Sequence, residues 1–133
     1  MTHGTPDRIF IALGAVAAAA AVLLGAAGAH LFKARLSPEA LTIFHTAWQF
    51  HFFHALGLVL VGLVAARRPQ SRAVRISGGL MCAGLLLFSG SLYVYVLGDM
   101  PLMRRFTPWG GMSFVAGWLA LAVGAGTAPD ETP

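Results

Sequence analysis

Four apolar runs, Ile9 to Phe32, Ile43 to Ala66, Ile76 to Gly98 and Trp109 to about Thr127, occupy most of the sequence. Each has roughly the 17 to 25 residues that an α-helix needs to cross a bilayer. In hydrocarbon a helix pairs its own backbone N–H and C=O groups, so runs of this length fix the class of fold. The expectation is an all-α integral membrane four-helix bundle with up-down topology, residues 1–133 forming a single transmembrane domain. The composition agrees, with 57% hydrophobic residues, 11% charged residues and a mean hydropathy of +0.74. The stretches between the runs are too short to predict a soluble domain beside the bundle.

The first run ends near Ala27-Gly-Ala29, which resembles a signal-peptide cleavage site. It is nevertheless expected to be a retained span. It is about twice the length of a normal h-region, and its basic flank amounts to Arg8 beside Asp7. Its small residues are also patterned: Gly14, Ala18, Ala21, Gly25 and Gly28 alternate steps of four and three. The fourth run repeats the device with Gly110, Ser113, Gly117, Ala120 and Gly124. Lipid gives helices no hydrophobic drive to associate, so small-residue seams that let backbones approach are the expected packing surfaces. Gly90, inside Ser89-Gly-Ser91, reads as a further packing residue.

A net charge of +4 and a pI near 10.2 do not indicate a nucleic-acid partner, because the basic residues are dispersed among short loops. Arg67, Arg68, Arg72 and Arg75 form the densest group, between the second and third runs. The positive-inside rule predicts that this loop and both termini are cytoplasmic. The expected surroundings are the lipid bilayer, with a membrane-protein partner or a second copy of the chain as further contacts. The single cysteine, Cys82, excludes an internal disulfide and reads as a small core residue.

Helix boundaries can be read at three places. Ser37-Pro38-Glu39 is an N-cap, a proline at the first helical position and an acid in the first turn. Thr107-Pro108-Trp109 predicts the same start for the fourth helix, and Gly98-Asp99 with Pro101 predicts the end of the third.

The least membrane-like part of any span is HTAWQFHFFHAL, His45 to Leu56. A polar side chain in hydrocarbon costs a few kcal/mol, roughly, unless it finds a partner. Successive spans run in opposite directions, so His30, the second-helix histidines, Ser89, Ser91, Tyr93 and Thr107 to Gly111 are expected in one leaflet. His51 and His54 share a helix face with Ala47, Leu58 and Val61, while His45 and Gln49 fall on another. His30 is expected to meet His54, with Ser89 and Tyr93 completing a polar layer. Three readings of this layer compete: hydrogen bonding between helices, haem or metal ligation by two histidines, and a proton or small-solute path. The first is preferred, with no cofactor and no bound metal, because no carboxylate or thiol joins the histidines at their depth. No span carries a membrane-buried Asp, Glu, Lys or Arg, which weakens the path. No residue reads as catalytic, since Ser89-Gly-Ser91 lies within a helix rather than on a nucleophile elbow. Trp48, Phe50, Phe52 and Phe53 are expected to face lipid or anchor at the interface, the alternative being one wall of a lipid or quinone groove.

Several of these residues also carry a resemblance. Gly25-Ala-Ala-Gly-Ala-His30-Leu31, Phe44-His-Thr-Ala47 with His54-Ala-Leu56, Leu87-Phe-Ser-Gly-Ser-Leu-Tyr93, and Thr107-Pro-Trp-Gly-Gly111 with Gly117-Trp118 follow in order along nearly the whole chain. The chain resembles the small four-span family called domain of unknown function 423, which includes YgdD-type inner-membrane proteins and transmembrane protein 256. One departure is Phe50-His51, where the family usually has Tyr-Gln. The resemblance implies four spans and a bacterial inner-membrane location, and it implies no activity. Because the residues are spent on a bundle and supply no nucleotide site or ion pathway, the function expected is that of a non-enzymatic accessory or scaffold protein touching another membrane protein or lipid. The rival is a binder of haem, metal, quinone or another small molecule at the histidine layer.

Overall fold

The computed structural model describes residues 5–128, and among these it is all helical. Four helices long and apolar enough to cross a membrane run up and down as a bundle. Helix α1 is Pro6–His30, prolonged by a 3₁₀ turn at Phe32–Ala34. Helix α2 is Pro38–Arg67. Helix α3, Arg72–Leu97, is α-helical at both ends and π-helical over Leu85–Gly90. A 3₁₀ segment, Pro101–Phe106, leads into α4, Thr107–Gly126.

Of the three helix boundaries read from sequence, the Ser37 start and the Gly98-Asp99 end stand where expected, and Thr107 differs in its role. Ser37 caps α2, its hydroxyl accepting the Ala40 N–H at 3.2 Å, and Ser71 caps α3 by accepting from Val74 at 3.3 Å. Thr107 is not an N-cap. Its backbone is already helical (φ −56°, ψ −46°), because the helical path begins earlier, at Pro101. At the end of α3 the left-handed residue is Asp99 (φ 49°), not Gly98, which stays right-handed (φ −95°). Aspartate tolerates that conformation better than most side chains, so the turn needs no glycine.

Packing divides the bundle into two close pairs, α1 with α2 and α3 with α4, and α2 joins them through its contacts with α3. Glycines make each pair close. A β-carbon at Gly14 would lie 2.8 Å from both the Ala55 carbonyl oxygen and the Val59 nitrogen of α2. At Gly110 it would lie 2.6 Å from the Leu87 carbonyl carbon and 2.7 Å from the Phe88 Cα, so α4 rests directly on the π-helical backbone of α3. At Gly28, Gly25 and Gly124 the nearest atoms belong to Phe44, Trp48 and Val74. Gly117 is looser, with nothing nearer than 3.4 Å, and Gly90 has only the Leu85 carbonyl of its own helix, at 3.5 Å. Gly62 and Gly78, outside the seams read from sequence, also receive α1, through the Asp7–Ile11 turn and the Phe10 ring respectively.

The core runs through Leu58, Val61, Ala65, Val74, Met81 and Phe114. At one end of the bundle the Arg68 guanidinium, after α2, donates to the carbonyls of Thr127 and Ala125, closing the end of α4. The outer faces are apolar: Val16 and Leu23 of α1 and Leu86 of α3 are each about 70% exposed, as lipid-facing positions must be.

Candidate functional site

The helical spacing of three turns His51 and His54 of α2 inward, where both are buried. Their neighbours differ. The His51 ring lies between α1 and α3, with Nε2 2.8 Å from the Ala17 carbonyl oxygen and Nδ1 2.9 Å from the Tyr93 hydroxyl. A carbonyl only accepts, so Nε2 carries the proton. With no carboxylate beside it among the described residues in this apolar interior the ring is neutral, so Nδ1 accepts and the Tyr93 O–H donates to it. The His54 ring turns toward α4. The Trp118 indole N–H, which can only donate, reaches His54 Nε2 at 3.1 Å, and Nδ1 lies 2.7 Å from the Phe50 carbonyl oxygen. In His54 the proton is therefore on Nδ1, the opposite tautomer from His51. Each ring is neutral, with both nitrogens engaged.

Aromatic rings surround this layer. His54 stacks on Phe114 with centroids 3.5 Å apart and planes 16° apart, and Phe50 lies almost parallel to it at 5.8 Å. Phe50 also touches Phe88 at 4.3 Å. Phe50 thus spends part of its ring on the layer, although it is 38% exposed. Trp48 is not a simple anchor, because its indole donates to the Ala21 carbonyl at 2.7 Å and clips α2 to α1. Of the four aromatics around the histidines, Phe53 faces outward most, at 64% exposure.

The remaining polar residues are spread along the bundle. His30 is exposed at the end of α1 and does not reach His54, whose partners are Phe50 and Trp118. His45 and Gln49 are exposed. Ser91 donates or accepts with Thr107 across the α3–α4 junction at 2.7 Å, and also reaches the Phe88 carbonyl at 2.9 Å. Ser89 is buried, and its hydroxyl has no hydrogen-bond partner among the described residues. Two further clasps join α3 to α4: Ser77 to the Gly117 carbonyl and Ser113 to the Leu80 carbonyl, both at 2.7 Å.

Sequence reasoning passed over Trp118, Trp48, Ser77 and Ser113 as hydrogen-bonding residues. The tryptophans carried a usable signal, since an indole N–H in hydrocarbon needs an acceptor. Ser77 and Ser113 resemble ordinary small packing residues, and nothing in their spacing distinguishes them.

Beside His51 a crevice of about 500 Å³ opens between α1 and α3, lined by residues of α1, α2 and α3. Ser89 and Tyr93 contribute its polar side, and Cys82 lines it as well.

The family model described as "Protein of unknown function (DUF423)" matches residues 24–111, the part that carries both histidines, the π-helical segment and the start of α4. The chain belongs to the DUF423 family. Among its relatives is the UPF0382 membrane protein YwdK of Bacillus subtilis, 40% identical over 118 residues, which cover 89% of this chain and 96% of that relative. The UPF0382 membrane protein SSP2132 of Staphylococcus saprophyticus is 38% identical, covering 88% of this chain and 96% of its own length. SH2409 of Staphylococcus haemolyticus is 35% identical over 87% of this chain and 93% of its own. No solved structure matches the chain. With bacterial relatives named as membrane proteins and four apolar helices, this DUF423 chain is a multi-pass membrane protein.

Proposed function

We propose that this DUF423 protein is a non-enzymatic accessory protein of the bacterial inner membrane, with both termini cytoplasmic, that works by lateral contact with a lipid or another membrane protein. The observation that carries the reading is the state of the two histidines. All four ring nitrogens are spent on hydrogen bonds whose donor and acceptor roles are fixed by Ala17, Tyr93, Phe50 and Trp118. A haem or metal ligand needs a free imidazole nitrogen, and a proton relay needs one that can change roles without orphaning a buried partner. Here either event breaks a clasp between helices. The layer is better suited to holding α1, α3 and α4 on α2 than to chemistry. What the bundle offers its surroundings is its sides.

The test is purification from bacterial membranes in a mild detergent, followed by an absorbance spectrum, metal analysis and mass spectrometry of co-purifying lipids and proteins. The expected result is no Soret band, no stoichiometric metal and a reproducible lipid or membrane-protein companion. Stoichiometric haem or metal that is lost in a His54→Ala variant would replace this reading by the cofactor-binding one.

A further inference from the structure

We propose that the crevice between α1 and α3 binds an uncharged lipid carrying a free hydroxyl group, with Ser89 and Tyr93 recognising the hydroxyl and the apolar walls holding the chain. The proposal rests on the reading of the protein as one that makes lateral contacts, and names the chemistry of one of them.

Three observations converge on the occupant. The crevice, about 500 Å³, is walled by Leu13, Leu24, Leu58, Leu85 and Leu86, and none of its lining residues is charged. A phosphate headgroup would find no cation there, whereas an alkyl chain would find leucine side chains. Second, Ser89 lines the crevice with a buried hydroxyl that has no partner, and unpaired buried polar groups are uncommon enough to require an explanation. Third, the neighbouring bonds determine what is left to offer. The Tyr93 proton is committed to His51 Nδ1, and the His51 proton to the Ala17 carbonyl. On the polar side of the crevice, Ser89 therefore supplies the free donor, and the Tyr93 oxygen retains an acceptor lone pair. A ligand must accept from one and can donate to the other. An alcohol does both with one atom; an ether, ester or ketone oxygen can only accept.

The location agrees with such a ligand. Ser89 lies eight residues before the end of α3 at Leu97, about 12 Å along the helix, below the level of the charged headgroups. Ser89 and Tyr93 are four residues apart on α3 and both line the crevice, which places the two hydroxyl-bearing side chains on one face of the helix beside it. The π-helical segment Leu85–Gly90 carries Ser89 and adds the extra residue per turn that sets its register, a deviation often found where helices bind ligands.

The experiment uses the full chain reconstituted in vesicles of phosphatidylethanolamine and phosphatidylglycerol. The probes are hexadecanol bearing a diazirine in its chain and the methyl ether of the same compound. After photolysis, labelled peptides are mapped by mass spectrometry and the unreacted probe is recovered for analysis. The alcohol is expected to label crevice peptides of α1 and α3 about tenfold more than the ether. Ser89→Ala should remove that preference while keeping or raising thermal stability in lipid-free detergent, since it deletes an unpaired hydroxyl. Ala17→Phe, which fills the crevice from α1, should reduce labelling by both probes. Equal labelling by alcohol and ether, labelling outside the crevice, or indifference to Ser89→Ala would overturn the proposal. Recovery of chemically converted alcohol would leave the crevice standing and overturn the non-enzymatic reading instead.

Discussion

Replacing Gly110 by alanine adds one methyl group at the point where α4 meets the π-helical part of α3. The added carbon would lie 2.6 Å from the Leu87 carbonyl carbon and 2.7 Å from the Phe88 Cα, with the Phe88 nitrogen also in contact. These are backbone atoms of a helix, so no side-chain rotation relieves them. Ordinary contact is restored only if the two helices separate by more than about 1 Å, and overpacking of this kind costs about 1–3 kcal/mol. Alanine recovers about 0.5–1 kcal/mol through its better helix propensity. The net expectation is a loss of about 1–2 kcal/mol. Gly117→Ala and Gly90→Ala are the internal controls: their added carbons meet nothing nearer than 3.4 Å and 3.5 Å, so propensity should leave them neutral or slightly stabilised. Reversible unfolding by dodecyl sulfate in maltoside micelles, followed by tryptophan fluorescence, would rank the three. If Gly110→Ala is as stable as the two controls, the close approach of α4 to α3 is refuted.

Trp118→Phe keeps the ring and removes the N–H donated to His54; the same unfolding assay should give a loss of about 0.6 kcal/mol, the average for hydrogen bonds between membrane helices, and no more than about 1.7 kcal/mol. The loss should shrink in a His54→Phe background, and full additivity of the two changes would contradict a direct bond. For topology, cysteines at Ser71 and Arg104 in a Cys82→Ser background should react with a membrane-impermeant maleimide from opposite sides, with Ser71 accessible only from the cytoplasm. Labelling of both from one side would end the four-span arrangement.

The four spans were legible because hydrophobic length is a property of the sequence by itself. The face of α2 that carries His51 and His54 could be read for the same reason, since the spacing of three is local. The partners were harder. His30 is expected at His54 from its place in the first span, but the antiparallel register of α1 on α2 sets Phe44 against Gly28 and His51 against Ala17, so His30 lies about 20 Å along α1 from the histidine layer. A backbone acceptor has no sequence signal. The π-helical segment was equally hidden, because Leu85–Gly90 contains no proline or charge to mark a change of pitch. That change sets the register of Ser89 and the backbone that receives Gly110, so the third helix looked simpler in sequence than it is. At Thr107 the proline signal was present, but Pro101 had already begun the helical path.

The two buried histidines stand as neutral clasps of opposite tautomer. Magic-angle-spinning NMR of ¹⁵N-histidine-labelled protein in lipid, with His51 and His54 assigned by single substitution, reads the protonation of each ring nitrogen directly. The expected spectrum shows a protonated Nε2 and bare Nδ1 for His51, and a protonated Nδ1 and bare Nε2 for His54, as their bonds to Ala17, Tyr93, Phe50 and Trp118 require. The same tautomer in both rings, a doubly protonated ring at neutral pH, or a nitrogen shifted by a bound metal would contradict it.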